Sequence, residues 1–96
     1  MYAAVRRYEG IIDDDEAARL VRDSFMPELE KVPGFIAYYI VDGGDGKLAS
    51  VSVFEEQAGA DESTRRAAEW VADNLAELVE HAPLVLAGEV TVEARR

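Results

Sequence analysis

The sequence predicts an α+β domain with the element order β-α-β-β-α-β. Two runs rich in β-branched and aromatic residues flank the glycine-rich GGDG at 43–46, which is typical of a β-hairpin. Apolar residues recur at helical spacing before and after this hairpin, and a β-prone run lies near each end of the chain. We therefore expect four strands and two helices in one domain spanning residues 1–96.

The amino-terminal half supplies a strand and a helix with a built-in interruption. Residues 2–8 form the strand, and the acidic DDDE at 13–16 supplies an N-cap at Asp13 and favourable charge for the helix dipole. Pro27 should kink or divide the helix near Ser24, and Pro33-Gly34 should end it. The apolar stripe of this helix consists of Ala17, Leu20, Val21, Phe25, Leu29 and Val32.

The second half supplies the hairpin, a helix and a last strand. We expect hairpin strands at 35–42 and 47–55, a loop at 57–63, a helix at 64–82 that Pro83 ends, and a strand from 84 to about 93. The helical stripe consists of Ala67, Val71, Leu75, Leu78, Val79 and Ala82. This order corresponds to the ferredoxin-like arrangement, a four-stranded antiparallel sheet with two helices on one face.

Composition excludes several classes of function. The chain carries 20 acidic and 10 basic residues, and a formal charge of -10 disfavours nucleic acid and anionic membranes as partners. It has no cysteine and one histidine, and DDDE lacks the spacing of a calcium loop, so we expect no metal site and no bound cofactor. With no apolar run long enough for a signal sequence or membrane span, we expect a cytoplasmic protein.

Symmetric closure of the hairpin around residues 43–46 would leave one apolar sheet face uncovered. In that register Val41 lies opposite Leu48 and Phe35 opposite Phe54. Two helices cover only one side of such a sheet, so we expect a homodimer through the other face. A ligand cleft, a different partner, or a register error of one residue, which would swap the faces, remain alternatives. The face expected to dimerise includes Phe35, Tyr39, Val41, Leu48 and Phe54.

The whole chain resembles the dimeric α+β barrel superfamily, in particular small members similar to the antibiotic biosynthesis monooxygenases. The resemblance lies in FMPELEKVPGF at 25–35, YYIVDGGDGKLASVSVFEE at 38–56, the SxxxAxEW pattern at 63–70 and GEVTV at 88–92. It implies two ferredoxin-like protomers packed sheet against sheet, with pockets between sheet and helices or inside the barrel. Many members of the superfamily have no known reaction.

Three polar or aromatic residues are candidates for a catalytic site. At ~100° per residue, Trp70, Asn74 and His81 fall along one edge of the predicted helical stripe. They would line a pocket, where the indole stacks on a flat substrate and the other two supply a hydrogen bond and a proton-transfer group. Alternatively, this is an ordinary boundary row in which Trp70 packs, Asn74 is solvated and His81 is a cation at the helix end.

The resemblance sharpens these candidates. Heme-degrading members use an asparagine on the first strand, which YAAVRRY lacks, and the separation of Trp70 and His81 is one residue too long. Cofactor-free quinone-forming members use an asparagine, a tryptophan and tyrosines around a polyphenolic substrate. Trp70, Asn74, Tyr38 and Tyr39 are residues of these types, which makes the tyrosines candidate ligand-binding residues.

Arg6 completes the candidate ligand site. Arg6 and Arg7 are adjacent in a strand and must point to opposite faces, so one of them enters a largely buried face. It would anchor an anion or a substrate inside the barrel, or else form an ion pair with one of the many acidic residues across the dimer or at the rim. The sequence thus favours a cofactor-independent monooxygenase or a binder of a small aromatic, polyketide-like ligand, with a non-catalytic dimerisation or stress-response module as the alternative.

Overall fold

The computed structural model describes all 96 residues and has the predicted fold class. Four antiparallel strands form one sheet in the order β2-β3-β1-β4, and the helices pack against one face of it. The elements are β1 (Tyr2–Tyr8), α1 (Asp14–Leu20), a π-helical segment (Val21–Phe25), α2 (Met26–Glu30), β2 (Phe35–Gly44), β3 (Lys47–Phe54), α3 (Gln57–Asn74) and β4 (Leu84–Glu89). None of the helices combines the length and the apolar character that a membrane crossing requires.

The first helical region is divided where the sequence predicts. The Asp13 side chain accepts a hydrogen bond from the Glu16 amide at 3.1 Å, which confirms the N-cap. The backbone then widens into the π-helical segment before Pro27, which occupies the first turn of α2. Proline has no amide hydrogen to donate and crowds the preceding turn, so the regular hydrogen-bond ladder is interrupted just before it.

The second long helix is offset from the prediction of 64–82, which is wrong at both ends. Residues 57–63, expected as a loop, form the first turns of α3, and the helix ends at Asn74. Beyond it, the Ile12 amide donates to the Leu78 carbonyl at 2.9 Å, and Val79 forms an isolated bridge with Ile11. These long-range hydrogen bonds draw the chain out of the helix, although its apolar spacing continues. The last strand also ends earlier than predicted, at Glu89.

The predicted hairpin register is wrong by one residue. The tight turn is Asp45-Gly46, with φ of 53° and 79°, which suits the left-handed pair that a two-residue hairpin turn requires. Gly44 therefore pairs with Lys47, and a bulge next to it places Val41 opposite Ala49 instead of Leu48. The predicted pair of Phe35 with Phe54 does form, because a second irregularity follows Phe35.

This shift divides the face that we expected to form the dimer. Tyr39 and Val41 lie on the open face, 58% and 56% exposed, whereas Leu48 and Phe54 are buried beneath the helices. Phe35 packs edge-on against the Phe54 ring at 5.8 Å and joins the same core. The β3 residues that replace them on the open face are Ala49, Val51 and Val53.

The open face is nevertheless largely apolar, although the exposed Arg7 of β1 also lies on it. Tyr39 and Val41 lie on β2, at one edge, and Leu84 and Leu86 on β4, at the other edge, are 68% and 73% exposed. The core lies on the opposite face, between the sheet and the helices, and includes Ala4, Phe25, Leu29, Leu48, Phe54, Ala60, Ala67 and Leu75.

Candidate functional site

The alternation of strand β1 carries one arginine into the core. Arg6 is 2% exposed on the face that the helices cover. Arg7 points the opposite way, with a side chain that is 63% exposed and lies 3.9 Å from a Glu9 carboxylate oxygen. The prediction that one of the two residues enters the buried face is confirmed.

The Arg6 guanidinium has no carboxylate partner. Its Nε donates to the Ser50 hydroxyl at 3.1 Å and its Nη1 to the Thr64 hydroxyl at 3.3 Å. Its Nη2 is buried and donates to no acceptor. None of the ten ion pairs within the chain includes Arg6. Arg6 is therefore a buried cation that is only partly satisfied, by neutral groups.

A small cavity adjoins this cation. Its volume is about 30 Å³, and 14 of its 16 lining residues are hydrophobic, Arg6 and Ser50 being the exceptions. Tyr38 and Trp70, two of the predicted ligand-binding residues, line it together with Arg6. A charge in such apolar surroundings interacts far more strongly with an opposite charge than it does in water.

Two tyrosines share this environment. Burial raises the pKa of both Tyr8 and Tyr38, and the nearby positive charge of Arg6 opposes part of that rise. Both phenols therefore stay neutral at physiological pH and do not serve as counterions to Arg6. They offer hydrogen bonds, and they leave the arginine charge uncompensated.

Three aromatic side chains, Phe25, Tyr38 and Trp70, form a wall on one side of the cavity. The Phe25 ring lies 5.4 Å from the Trp70 ring and 6.0 Å from the Tyr38 ring. Phe25 and Trp70 also line a surface groove of about 430 Å³ on the outer side of this wall. The indole Nε1 donates to the Ser24 hydroxyl at 2.9 Å, which ties the wall to the π-helical segment.

The remaining candidates lie elsewhere. Asn74 is exposed, lines the outer groove, and donates to the Trp70 carbonyl at 2.9 Å. His81 follows the end of α3 and lies near Gly10, so the predicted helical row of Trp70, Asn74 and His81 does not form. Tyr39 points to the open face of the sheet, away from the cavity. The structure contains no group of three His, Asp or Glu side chains arranged as metal ligands.

Sequence reasoning missed several residues of the cavity, among them Tyr8, Phe25 and Ser50, and it missed the buried hydroxyls of Ser52 and Thr64 nearby. Ser50 and Ser52 alternate with apolar residues in β3, which signals a face with buried hydroxyls once the register is known. Tyr8 was assigned only to its strand, and Phe25 only to the helical stripe. Thr64 carries no distinguishing signal in the sequence, because it marked the predicted start of a helix.

The comparisons relate the chain to known folds. No protein-family model matches it, and the search of curated proteins found no relative. Among solved structures, a protein of unknown function from Nitrosomonas europaea is 21% identical, with a TM-score of 0.76 over 99% of this chain and 93% of that one. A monooxygenase from Streptomyces coelicolor, in complex with nanaomycin D, is 16% identical, with a TM-score of 0.75 over 99% and 91%.

A third structure extends the same pattern. SnoaB, a cofactor-independent oxygenase from Streptomyces nogalater, is 11% identical, with a TM-score of 0.75 over 99% of this chain and 97% of that one. At these identities the similarity establishes the fold and leaves the reaction open. The chain has the ferredoxin-like α+β fold that antibiotic biosynthesis monooxygenases share with proteins of unknown function.

Proposed function

We propose that this protein binds a small, hydroxylated aromatic ligand of the polyketide type between its sheet and its helices, and oxidises it with molecular oxygen without a cofactor. The observation that carries the proposal is the buried Arg6 cation, with a free Nη2, beside a cavity that Tyr38 and Trp70 line. The shared fold of the two Streptomyces oxygenases supports it.

The chemistry follows from this arrangement. The Arg6 charge lowers the pKa of a ligand hydroxyl placed beside it, because an ionised oxygen is the partner that the guanidinium lacks. An ionised phenol or enol is electron-rich and is the species that reacts with oxygen. With an anthrone as substrate, one ring CH₂ becomes a carbonyl, one oxygen atom enters the product and the other leaves as water. Tyr38 and Trp70 would hold the ring in place.

The cavity must enlarge to accept such a ligand. Its 30 Å³ has room for about two or three water molecules, since one water requires about 10–15 Å³. We propose that the π-helical segment moves, because Phe25 belongs to it and Trp70 is tied to it by the hydrogen bond to Ser24. Insertions of π-helix are frequent at functional sites. Asn74 would lie at the entrance, and the proposal assigns no role to His81.

Binding and turnover test the proposal separately. Nanaomycin D and a dihydroxyanthrone are titrated against the fluorescence of Trp70, the only tryptophan, without oxygen. Oxygen consumption and quinone formation are then followed in air. We expect saturable quenching of the Trp70 fluorescence. The Ser24→Ala variant should bind the ligand faster, because it lacks the hydrogen bond that holds Trp70 to the π-helical segment. Glu30→Ala, an exposed change on α2, is the control. If neither nanaomycin D nor the dihydroxyanthrone quenches the Trp70 fluorescence, the proposed ligand site is refuted.

A non-catalytic dimerisation module is the second candidate. It is favoured by the closed state of the cavity, which holds no drug-sized space, and by the position of Asn74 and His81 outside it. Binding without oxygen consumption, or the absence of both, would favour this function.

We also propose that the protein is a cytoplasmic homodimer that pairs through its open sheet face. The support is the apolar surface from Tyr39 to Leu86, which is larger than isolated soluble domains commonly expose. The variant Tyr39→Glu should sediment as a monomer of 10.6 kDa and the wild type at about twice that mass. The control is Ile12→Glu, since Ile12 is 62% exposed and lies outside the strands. A monomeric wild type at micromolar concentration would contradict the dimer.

A further inference from the structure

We propose that, whether or not the protein is an oxygenase, the cavity beside Arg6 is a binding site for a small monovalent anion of halide size. The proposal rests on three features: a cation that is almost fully buried, a free donor on that cation, and an adjoining space of matching size. It concerns the protein without any aromatic ligand.

The first step is the missing negative charge. A guanidinium keeps its proton in proteins, so Arg6 retains its charge, whereas a buried lysine can release a proton and become neutral. A buried ion that lacks a counterion destabilises the fold, and an anion bound beside it would offset that cost. The protein has 20 acidic residues, and none of their carboxylates forms an ion pair with Arg6.

The second step is the chemistry of the neighbours. The groups around the guanidinium are the hydroxyls of Ser50 and Thr64 and the phenols of Tyr8 and Tyr38, all of them neutral. Hydroxyls donate hydrogen bonds as well as accept them, so those of Ser50, Tyr8 and Tyr38, which line the cavity, are able to bind an anion together with the free Nη2. A cation in this cavity would be repelled by the positive charge of Arg6.

The third step is size. A space of about 30 Å³ admits a chloride or bromide ion, each little larger than a water molecule, and excludes a sugar acid such as gluconate. The cavity therefore selects among anions by volume. Salt also screens the net charge of -10, but that effect depends only on ionic strength, so salts of equal ionic strength separate the two effects.

Thermal unfolding in matched salts tests the site in solution. Sodium chloride is compared with sodium gluconate at equal ionic strength and constant protein concentration. Above the Kd, we expect Tm to rise by roughly 6–11 °C for each tenfold increase in chloride, relative to gluconate. The Arg6→Met variant should lose this difference, and Arg22→Met, a change at an exposed arginine outside the sheet, should keep it. Equal Tm values in the two salts for the wild type would overturn the proposal.

A crystal soaked in bromide tests the same site without any variant. An anomalous peak next to Arg6 Nη2, inside the cavity, is the expected result, and an empty cavity at high bromide concentration would overturn the proposal even if Arg6→Met does not fold. Neither experiment measures oxygenase activity. The anion site and the proposed function therefore stand or fall separately.

Discussion

Replacing Arg6 by methionine should make the protein more stable, although Arg6 is one of its most deeply buried residues. Methionine keeps an unbranched apolar stem and removes the charge. The burial of an ion without a counterion costs several kcal/mol, and the unpaired Nη2 adds about 1–3 kcal/mol. Against this stand two hydrogen bonds of 3.1 and 3.3 Å to neutral hydroxyls, which at these lengths contribute about 3 kcal/mol together.

The balance favours the variant by about 2 kcal/mol, which corresponds to a rise in Tm of about 8–16 °C for a domain of this size. Unfolding is followed by circular dichroism in a gluconate buffer, where no small anion compensates the arginine. Arg22→Met is the matched control, and since its side chain is 66% exposed and lies outside the sheet we expect a change within about 0.5 kcal/mol. A loss of more than about 1 kcal/mol in Arg6→Met would refute the reasoning and make Arg6 a structural residue.

Two further predictions test the packing and the electrostatics around the site. Gly59→Ala should lower Tm, because the added Cβ would lie 2.7 Å from Cδ1 of the fully buried Phe54, and overpacking by about 1–3 kcal/mol exceeds the helical gain of about 1 kcal/mol. Ala58→Gly measures that helical gain alone at an exposed site, and a higher Tm of Gly59→Ala would show that the ring moves aside. In an absorbance titration, Tyr8 and Tyr38 should ionise above pH 10, because burial raises the pKa of both groups. The pKa of each phenol is higher in the folded protein than in the unfolded chain. The contribution of the two neutral phenols to folding stability is therefore complete below pH 10 and is lost as the pH rises through the folded pKa. Ionisation of both phenols below pH 10 in the native protein would contradict this.

Much of the fold could be predicted because its signals are local. The N-cap at Asp13, the interruption before Pro27 and the strand at Tyr2–Tyr8 each depend on a few neighbouring residues. The second helix was misplaced because its ends depend on contacts that are distant in sequence. Gly59 at the start of the helix lies against the Phe54 ring. The helix ends at Asn74, and the residues that follow it, Leu78 and Val79, contact Ile11 and Ile12 in the loop after β1.

The candidate site was predicted in part for the same reason. Strand alternation alone requires that either Arg6 or Arg7 enters the buried face. It also requires that Tyr38 and Tyr39 point to opposite faces of the sheet. The alignment of Trp70 with His81 assumed a helix that continues, and it failed when the helix ended at Asn74. The prediction of which β3 residues lie on each sheet face was wrong, because a single bulge in the hairpin moves every later residue of the strand to the opposite face.

The sequence by itself determined the α+β class, the order of the elements, the acidic surface and the presence of an arginine on an apolar strand face. Only the tertiary structure decided which arginine is buried, that no carboxylate reaches it, and that Tyr38 and Trp70 meet beside it. Periodicity specifies which way a side chain points within its own element. The hydrogen-bond partners of the buried Arg6 charge, however, lie 44 and 58 residues away in the chain, and their positions are set by the packing of the whole domain.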